Sequence, residues 1–164
     1  QIQSLLNPEG LLEQPIIGNE IAFLIDALVE APGHKPFILK IKSKLDNYSI
    51  DKEEGIITVN DLKTTGDLIN NFAKGALIDY HYYREMALYS WLLTMAAKKN
   101  YNIENPKIRS NFLVVETIPN FNTKVVPMTR ELFNKGFKEF THLLKLVAFY
   151  CMHGYEGFGI TQET

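Results

Sequence analysis

Residues 37–63 have the sequence FILKIKSKLDNYSIDKEEGIITVNDLK. Over 37–50, apolar residues such as Phe37, Leu39 and Ile41 alternate with charged residues, which is the period of a strand with one buried face. Residues 56–63 contain several β-branched residues, and the polar, glycine-containing stretch 51–55 separates the two segments. The pattern therefore predicts a β-hairpin.

The flanking sequence predicts the rest of the fold. Residues 19–30 favour a helix, because Ile21, Leu24, Ile25 and Leu28 recur at helical spacing and Asn19 can cap the first turn. The other predicted elements are helical structure over 67–99 with a break near Gly75, strands at 108–118 and 123–127, and a helix over 128–153. The order α, β-hairpin, α, β, β, α predicts an α/β (α+β) fold, in which helices flank a mixed central β-sheet with a hairpin core.

Length and composition indicate a globular chain. The chain has 164 residues, of which 46% are hydrophobic and 22% charged, and this fits one domain over 1–164. The sequence does not begin with Met, so we expect it to be a fragment of a longer protein. It has no apolar run of about 18 residues, which predicts no membrane-spanning helix, and its start does not resemble a signal peptide.

The chain contains one cysteine and carries a formal net charge of −2. A single cysteine excludes a disulfide, a four-cysteine zinc site and a four-cysteine iron–sulfur cluster held within this chain. Cys151 lies in an apolar stretch, so we expect it to be buried. The acidic balance counts mildly against nucleic-acid binding, although the basic residues are clustered.

A charged cluster is predicted on the hairpin. Strand alternation places Asp61 and Lys63 on one face, after the apolar residues Ile57 and Val59. If the turn is centred near residues 53 and 54, Asp46 on the neighbouring strand comes level with residue 60 or 61. Two carboxylates are then within reach of one cation.

Such a cluster suits phosphodiester hydrolysis. Mg²⁺ prefers oxygen ligands and keeps several waters, so Asp46, Asp61 and the backbone carbonyl of Leu62 can hold it and leave positions for a phosphate oxygen and water. Lys63 would orient or deprotonate the attacking water, or stabilise developing negative charge. The alternative interpretation is a surface charge cluster on a solvated sheet face, since Asp-x-Lys is a common spacing.

The order of these segments resembles the PD-(D/E)xK nuclease superfamily. SKLDNY at 43–48, a short hairpin and NDLKTT at 60–65 are most similar to its RecB-like and phage-recombination exonuclease branches. The resemblance implies a restriction-endonuclease-like fold and a Mg²⁺- or Mn²⁺-dependent DNA nuclease, in particular an exonuclease of DNA recombination or processing. In that family a following helix carries Gln-x-x-x-Tyr. Glu85 and Tyr89 occupy the matching positions here, and Glu85 departs from the usual Gln.

The resemblance also implies a further metal ligand, because the family often has an acidic residue on the helix before the hairpin. Glu20 is the candidate. Lys40, Lys42 and Lys44 follow strand alternation on the same face as Asp46, where they could contact DNA phosphates. They could equally protect an edge strand against aggregation.

The partners that the resemblance implies are DNA, a second copy of the chain and a recombination protein, in the cytoplasm of a bacterium or a phage-infected host. One alternative is a catalytically inactive DNA-binding or interaction module that keeps the nuclease fold. Another is a nuclease with an iron–sulfur cluster, which the single cysteine disfavours.

Overall fold

The computed structural model describes residues 2–5, 17–30, 35–117 and 121–153. These residues form one six-stranded sheet in which the strands follow each other in chain order. The strands are β1 (Ile2–Leu5), β2 (Ile17–Val29), β3 (Phe37–Asp51), β4 (Ile56–Thr65), β5 (Lys107–Glu116) and β6 (Thr123–Pro127). A 3₁₀ turn (Ile69–Asn71) and the helices α1 (Ala76–Asp79), α2 (Tyr82–Tyr101) and α3 (Arg130–His153) complete the described part. The predicted α+β class with a mixed, helix-flanked sheet is confirmed.

The predicted hairpin is present as β3 and β4. Its register pairs Ile50 with Ile57 and Asn47 with Asn60. From Thr65 the chain passes through α1 and α2 before it returns as β5, and the long crossover makes β4 and β5 parallel. The remaining strand pairs are antiparallel. The predicted short strand at 123–127 is also present, as β6.

The helix predicted over 19–30 was wrong, because this segment is the strand β2. Phe23, Ile25 and Ala27 are buried, while Leu24 between them is exposed. Apolar residues therefore occupy both faces of the strand, so hydrophobicity does not alternate with a period of two residues. The apolar residues of this segment also recur at helical spacing, and this spacing led to the wrong prediction. Residues 2–5, for which the sequence predicts no helix or strand, form the edge strand β1.

The long helices pack on the face of the sheet that carries the buried side chains. Met86 and Leu93 of α2 join the core formed by β2 to β5. Phe140 and Leu144 of α3 cover Val29 in a second cluster. The predicted break near Gly75 is present between the 3₁₀ turn and α1, and the helical structure breaks a second time at residues 80–81, between α1 and α2. Thr129 caps α3, because its Oγ1 accepts a hydrogen bond from the Leu132 amide.

The alternation of buried and exposed residues along β3 is interrupted at residues 46 and 47. In β3 the residue Leu45 is buried, and the next buried residues are Tyr48 and Ile50, so the inward face shifts by one position. The ladder between β3 and β4 ends at the Asn47–Asn60 pair, while β3 continues to pair with β2 down to Phe37. The strands β3 and β4 therefore separate next to this pair, and side chains can occupy the space between the two unpaired strand segments.

A row of asparagine side chains fixes the register across this split. Asn47 donates to Asn19 at 2.8 Å, Asn60 donates to Asn47 at 2.7 Å, and Asn111 donates to Asn60 at 3.1 Å. The row ties β2, β3, β4 and β5 together at one level. A one-residue slip of any of these strands would break it.

Two further expectations concern Cys151 and membrane-spanning helices. Cys151 is exposed near the end of α3, so its predicted burial was wrong. It lies among apolar residues in sequence, but the helix turns it away from the sheet. In the part of the chain that the structure describes, no helix is long and apolar enough to cross a membrane.

Candidate active site

Three charged side chains meet where β3 and β4 separate. The Nζ atom of Lys63 lies 2.8 Å from Oδ2 of Asp61 and 3.0 Å from Oε2 of Glu85. Asp61 and Lys63 come from the inward face of β4, as strand alternation predicts, and Glu85 comes from the first turn of α2. The structure therefore brings together a cluster of Asp61, Lys63 and Glu85, to which we refer as the β4–α2 cluster.

Asp46 joins this cluster from β3. It lies one position beyond the Asn47–Asn60 pair, which is the level of Asp61 and agrees with the predicted register. Its Oδ2 accepts a hydrogen bond of 2.8 Å from the backbone amide of Leu62. The Asp46 carboxylate thereby occupies the place where the ladder between β3 and β4 stops.

Asp61 is the most buried carboxylate of the site, with 3% of its surface exposed. Its Oδ2 lies 2.8 Å from the Lys63 ammonium, an ion-pair distance, and this ammonium is the charged group that compensates its burial. Burial raises the pKa of Asp61 to about 6, against the opposing effect of the nearby Lys63 charge. Burying a carboxylate is costly unless a cation lies beside it, and Lys63 is that cation here.

Lys63 is enclosed on three sides. Besides its two carboxylate neighbours, its ammonium lies 4.5 Å from the ring centroid of Tyr82, a cation–π distance. Burial alone would lower the pKa of Lys63, but Asp61 and Glu85 outweigh burial and raise this pKa above its ordinary value. Lys63 is therefore a fixed positive charge in the metal-free protein.

Glu85 and Tyr89 lie about one helical turn apart and share a face of α2. The Tyr89 hydroxyl donates to Oε1 of Glu85 at 2.6 Å, while Oε2 of Glu85 faces Lys63. Burial raises the pKa of Tyr89, and the adjacent Glu85 charge raises it further, so the phenol stays protonated. Tyr89 thus orients Glu85 toward Lys63.

The structure places the remaining predicted residues at the margin of the site. Glu20 lies on β2 and not on a helix, is exposed, has a left-handed φ of 55° and forms an ion pair with Lys44. Its pairing level is that of Asp46, since Asn19 pairs with Asn47 and Ile21 with Leu45. Lys42 and Lys44 are exposed on β3, and the alternation of buried residues shifts between Leu45 and Tyr48, beside Asp46. Lys40 pairs with Asp26 at 3.1 Å.

The donor set fits a hard divalent cation. Among the described residues, no three His, Cys, Asp or Glu side chains are grouped as metal ligands. Asp46 and Asp61 provide carboxylate oxygens at one level of neighbouring strands. Mg²⁺ is typically held by one or two carboxylates with water and substrate oxygens, so a pair is sufficient for it.

Two features of the site were missed by sequence reasoning. Tyr82 packs against the core, where it stacks with Phe72, and its ring also lies beside the Lys63 ammonium, a contact that the sequence did not indicate. The asparagine row beside Asp46 and Asp61 was also missed. A signal for the row existed, since Asn47 and Asn60 directly adjoin the two acidic residues on paired strands.

Comparisons with known proteins give a limited result. No protein-family model matches the chain, and no curated protein matches its sequence. Among solved structures, the putative exonuclease of Eubacterium rectale is similar, with a TM-score of 0.47 and 14% sequence identity. The similarity covers 84% of this chain and 43% of that chain, so this chain spans less than half of that protein's length. Any conclusion about function must therefore come from the site itself.

Proposed function

We propose that this chain is the catalytic core of a metal-dependent deoxyribonuclease that hydrolyses DNA phosphodiester bonds. The observation that carries the proposal is the buried Asp61 carboxylate beside Lys63 and Asp46, at the split between two strands. Such charged groups are expensive to bury, and they are retained where chemistry requires them. Together with the PD-(D/E)xK pattern in the sequence, they support an exonuclease of DNA recombination or processing, of phage or bacterial origin.

The metal in this proposal is Mg²⁺, or Mn²⁺ in its place. Asp46 and Asp61 would hold it, with the Leu62 carbonyl as the further protein ligand that the sequence suggests and Glu20 as a ligand only after it leaves Lys44. When bound, such an ion supplies Lewis-acid activation of the phosphate and of water.

The side chains of the site have separable tasks in this proposal. Lys63 holds a positive charge beside the carboxylates, where negative charge develops on the phosphate. Glu85 fixes the position of the ammonium, and Tyr89 fixes Glu85 through its hydroxyl. Tyr82 shields the ammonium from water on a further side. Lys63 therefore acts as a preorganised cation, and Glu85 and Tyr89 act as positioning residues.

The first test is cleavage of DNA by the purified chain, and by the longer protein if it belongs to one. We expect linear DNA to be degraded with Mg²⁺ or Mn²⁺ and to stay intact with EDTA. Closed circular DNA should survive if the enzyme is an exonuclease, because it has no ends. Degradation that persists in EDTA would contradict the proposed metal dependence.

Metal binding provides a second prediction that does not depend on turnover. We expect Asp61→Asn to weaken Mn²⁺ binding by at least about tenfold, because it removes a charged ligand. Calorimetry at a pH of about 8 would measure this, since the pKa of Asp61 is about 6 and the carboxylate is then ionised. The exposed Asp79→Asn has the same charge change and should bind Mn²⁺ as the wild type does. Equal, weak binding by all three proteins would favour an inactive module that keeps the fold.

The unusual Glu85 gives a third prediction. Glu85→Gln can still accept from Tyr89 and contact Lys63, so we expect activity within about tenfold of the wild type. Glu85→Ala releases the ammonium and should lower kcat by about 10²-fold, because misplacement of a catalytic group by about 1 Å has an effect of this size. Steady-state kinetics on linear DNA would compare the two. Equal activity of Glu85→Ala and the wild type would exclude the positioning role.

A further inference from the structure

Backbone pairing is interrupted on both sides of Asp46. The ladder between β3 and β4 ends at the Asn47–Asn60 pair, one position before the level of Asp46 and Asp61. The ladder between β2 and β3 pairs the residues on either side of Asp46 and omits Asp46 itself. Among the described residues, Asp46 therefore has a partner in neither ladder. Asp61, by contrast, pairs with Phe112 in the unbroken ladder between β4 and β5. Of the two proposed metal ligands, backbone pairing holds Asp61 and leaves Asp46 unsupported.

Side chains join β3 to β4 where their ladder stops, and in the described part of the chain they do so through two hydrogen bonds. The first is the bond of 2.8 Å from the Leu62 amide to Oδ2 of Asp46. The second is the bond of 2.7 Å from Nδ2 of Asn60 to Oδ1 of Asn47. The second bond is independent of the proposed metal ligands. It can therefore hold the two strands together while the Asp46 carboxylate binds a cation.

The Asn47–Asn60 bond is anchored on both outer strands. Oδ1 of Asn60 accepts from Asn111 on β5 at 3.1 Å, and Nδ2 of Asn47 donates to Asn19 on β2 at 2.8 Å. Each of the two inner amides thus accepts from one neighbour and donates to the other, so the bonds of the row strengthen one another. The position of Asn47 is consequently fixed, and Asp46 directly precedes it in the chain.

The amide of Asn60 acts on the metal site through the backbone. Asn60 directly precedes Asp61, and strand alternation points the two side chains to opposite faces of β4. The burial of the two residues agrees, since Asp61 is buried and Asn60 is half-buried. Asn60 is therefore a positioning residue and not a metal ligand.

We propose that the Asn47–Asn60 pair sets the distance between the Asp46 and Asp61 carboxylates and thereby makes the site selective for a small divalent cation. Mg²⁺ requires nearly ideal octahedral geometry with short bonds to oxygen, whereas Ca²⁺ accepts longer bonds and irregular geometry. A fixed spacing of two carboxylates can discriminate between ions of different size, and a loose spacing cannot. This inference rests on the proposed function for the presence of the metal site, but it concerns binding and not cleavage.

Separate calorimetric titrations with Mg²⁺ and with Ca²⁺ would test the inference, at a pH of about 8, where Asp61 is ionised. We expect Asn60→Ala to weaken Mg²⁺ binding by about tenfold or more, which is the usual effect of losing a group that orients a metal ligand. Ca²⁺ binding should weaken by less than about threefold, because its coordination is flexible. The ratio of the two Kd values is decisive, since partial unfolding would weaken the binding of both ions equally.

The matched control is Asn111→Ala. It removes the next bond of the same row, but this bond joins β4 to β5, whose ladder is complete at this level. Asn111→Ala should therefore keep the Kd values of the wild type. Asn47→Ser should repeat the effect of Asn60→Ala with a smaller loss of volume, because the serine hydroxyl is too short to reach Asn60. It decides the question if thermal unfolding shows that Asn60→Ala is not folded.

Three outcomes would overturn the inference. An unchanged ratio of Kd values in folded Asn60→Ala or Asn47→Ser would remove the positioning role and leave the proposed metal site intact. An equal loss of selectivity in Asn111→Ala would mean that the selectivity does not depend on the bond between β3 and β4. Absence of Mg²⁺ binding by the wild type would refute the proposed metal site itself, and the inference with it.

Discussion

Lys63→Met is expected to reduce DNA cleavage by about 10³-fold or more, which is the size of effect seen when a preorganised charge at a reacting centre is lost. The methionine side chain can keep the packing of the lysine stem beside Tyr82, so the substitution removes mainly the charge. It leaves Asp61 and Glu85 without the cation that lies 2.8 Å and 3.0 Å from them. The remaining carboxylates would then repel an incoming phosphate, which adds to the loss.

The control for this prediction must separate charge from folding. Lys74 is exposed on the turn before α1, and Lys74→Met should retain full activity. Removing one partner of a half-buried ion pair also destabilises the fold, by an amount that can reach about 3 kcal/mol. Circular dichroism during heating would show whether Lys63→Met is folded at the assay temperature. A folded Lys63→Met that cleaves within about tenfold of the wild type would remove Lys63 from the proposed machinery.

The part of the site that lies within the hairpin could be predicted from the sequence, because its geometry is local. Two-residue alternation placed Asp61 and Lys63 on one face, and the short turn set the level of Asp46. These relations depend on backbone periodicity and loop length alone. They remain valid whatever packs against the hairpin.

The contacts between elements could not be obtained in this way. The distance of 3.0 Å between Lys63 and Glu85 depends on how α2 packs across β4, and the placement of Tyr82 depends on the turn that separates α1 from α2. The shift of alternation in β3 depends on the split of the sheet. Regular alternation predicted one face for the lysines of β3 and Asp46, and nothing in the sequence indicates that the alternation shifts at residues 46 and 47.

The error at β2 has a different physical origin. A strand that is apolar on both faces carries no visible two-residue period, and Leu24 is exposed even though it is apolar. The choice between helix and strand is then made by partners distant in sequence. The strand β3 supplies those partners, because Ile17–Val29 pairs with Phe37–Ser49. Nothing in the sequence of residues 19–30 indicates this pairing.

Gly136→Ala is expected to destabilise the protein by about 2–3 kcal/mol, even though alanine is the better helix former by about 1 kcal/mol. A Cβ atom at position 136 would lie 2.3 Å from the backbone carbonyl oxygen of Tyr83 and 3.1 Å from Cβ of Ala87. The obstacle is backbone, which has no rotamer to move away. The helices α2 and α3 must therefore separate, and the core formed by Phe140 and Leu144 would lose contacts.

Chemical denaturation of Gly136→Ala beside Asn134→Ala would test this prediction. Asn134 is exposed two residues earlier on α3, so its replacement changes helix propensity without adding an atom between helices. We expect Asn134→Ala to be neutral or slightly stabilising and Gly136→Ala to be clearly destabilising. Stabilisation by both would follow propensity alone and would mean that α2 and α3 do not cross closely at Gly136.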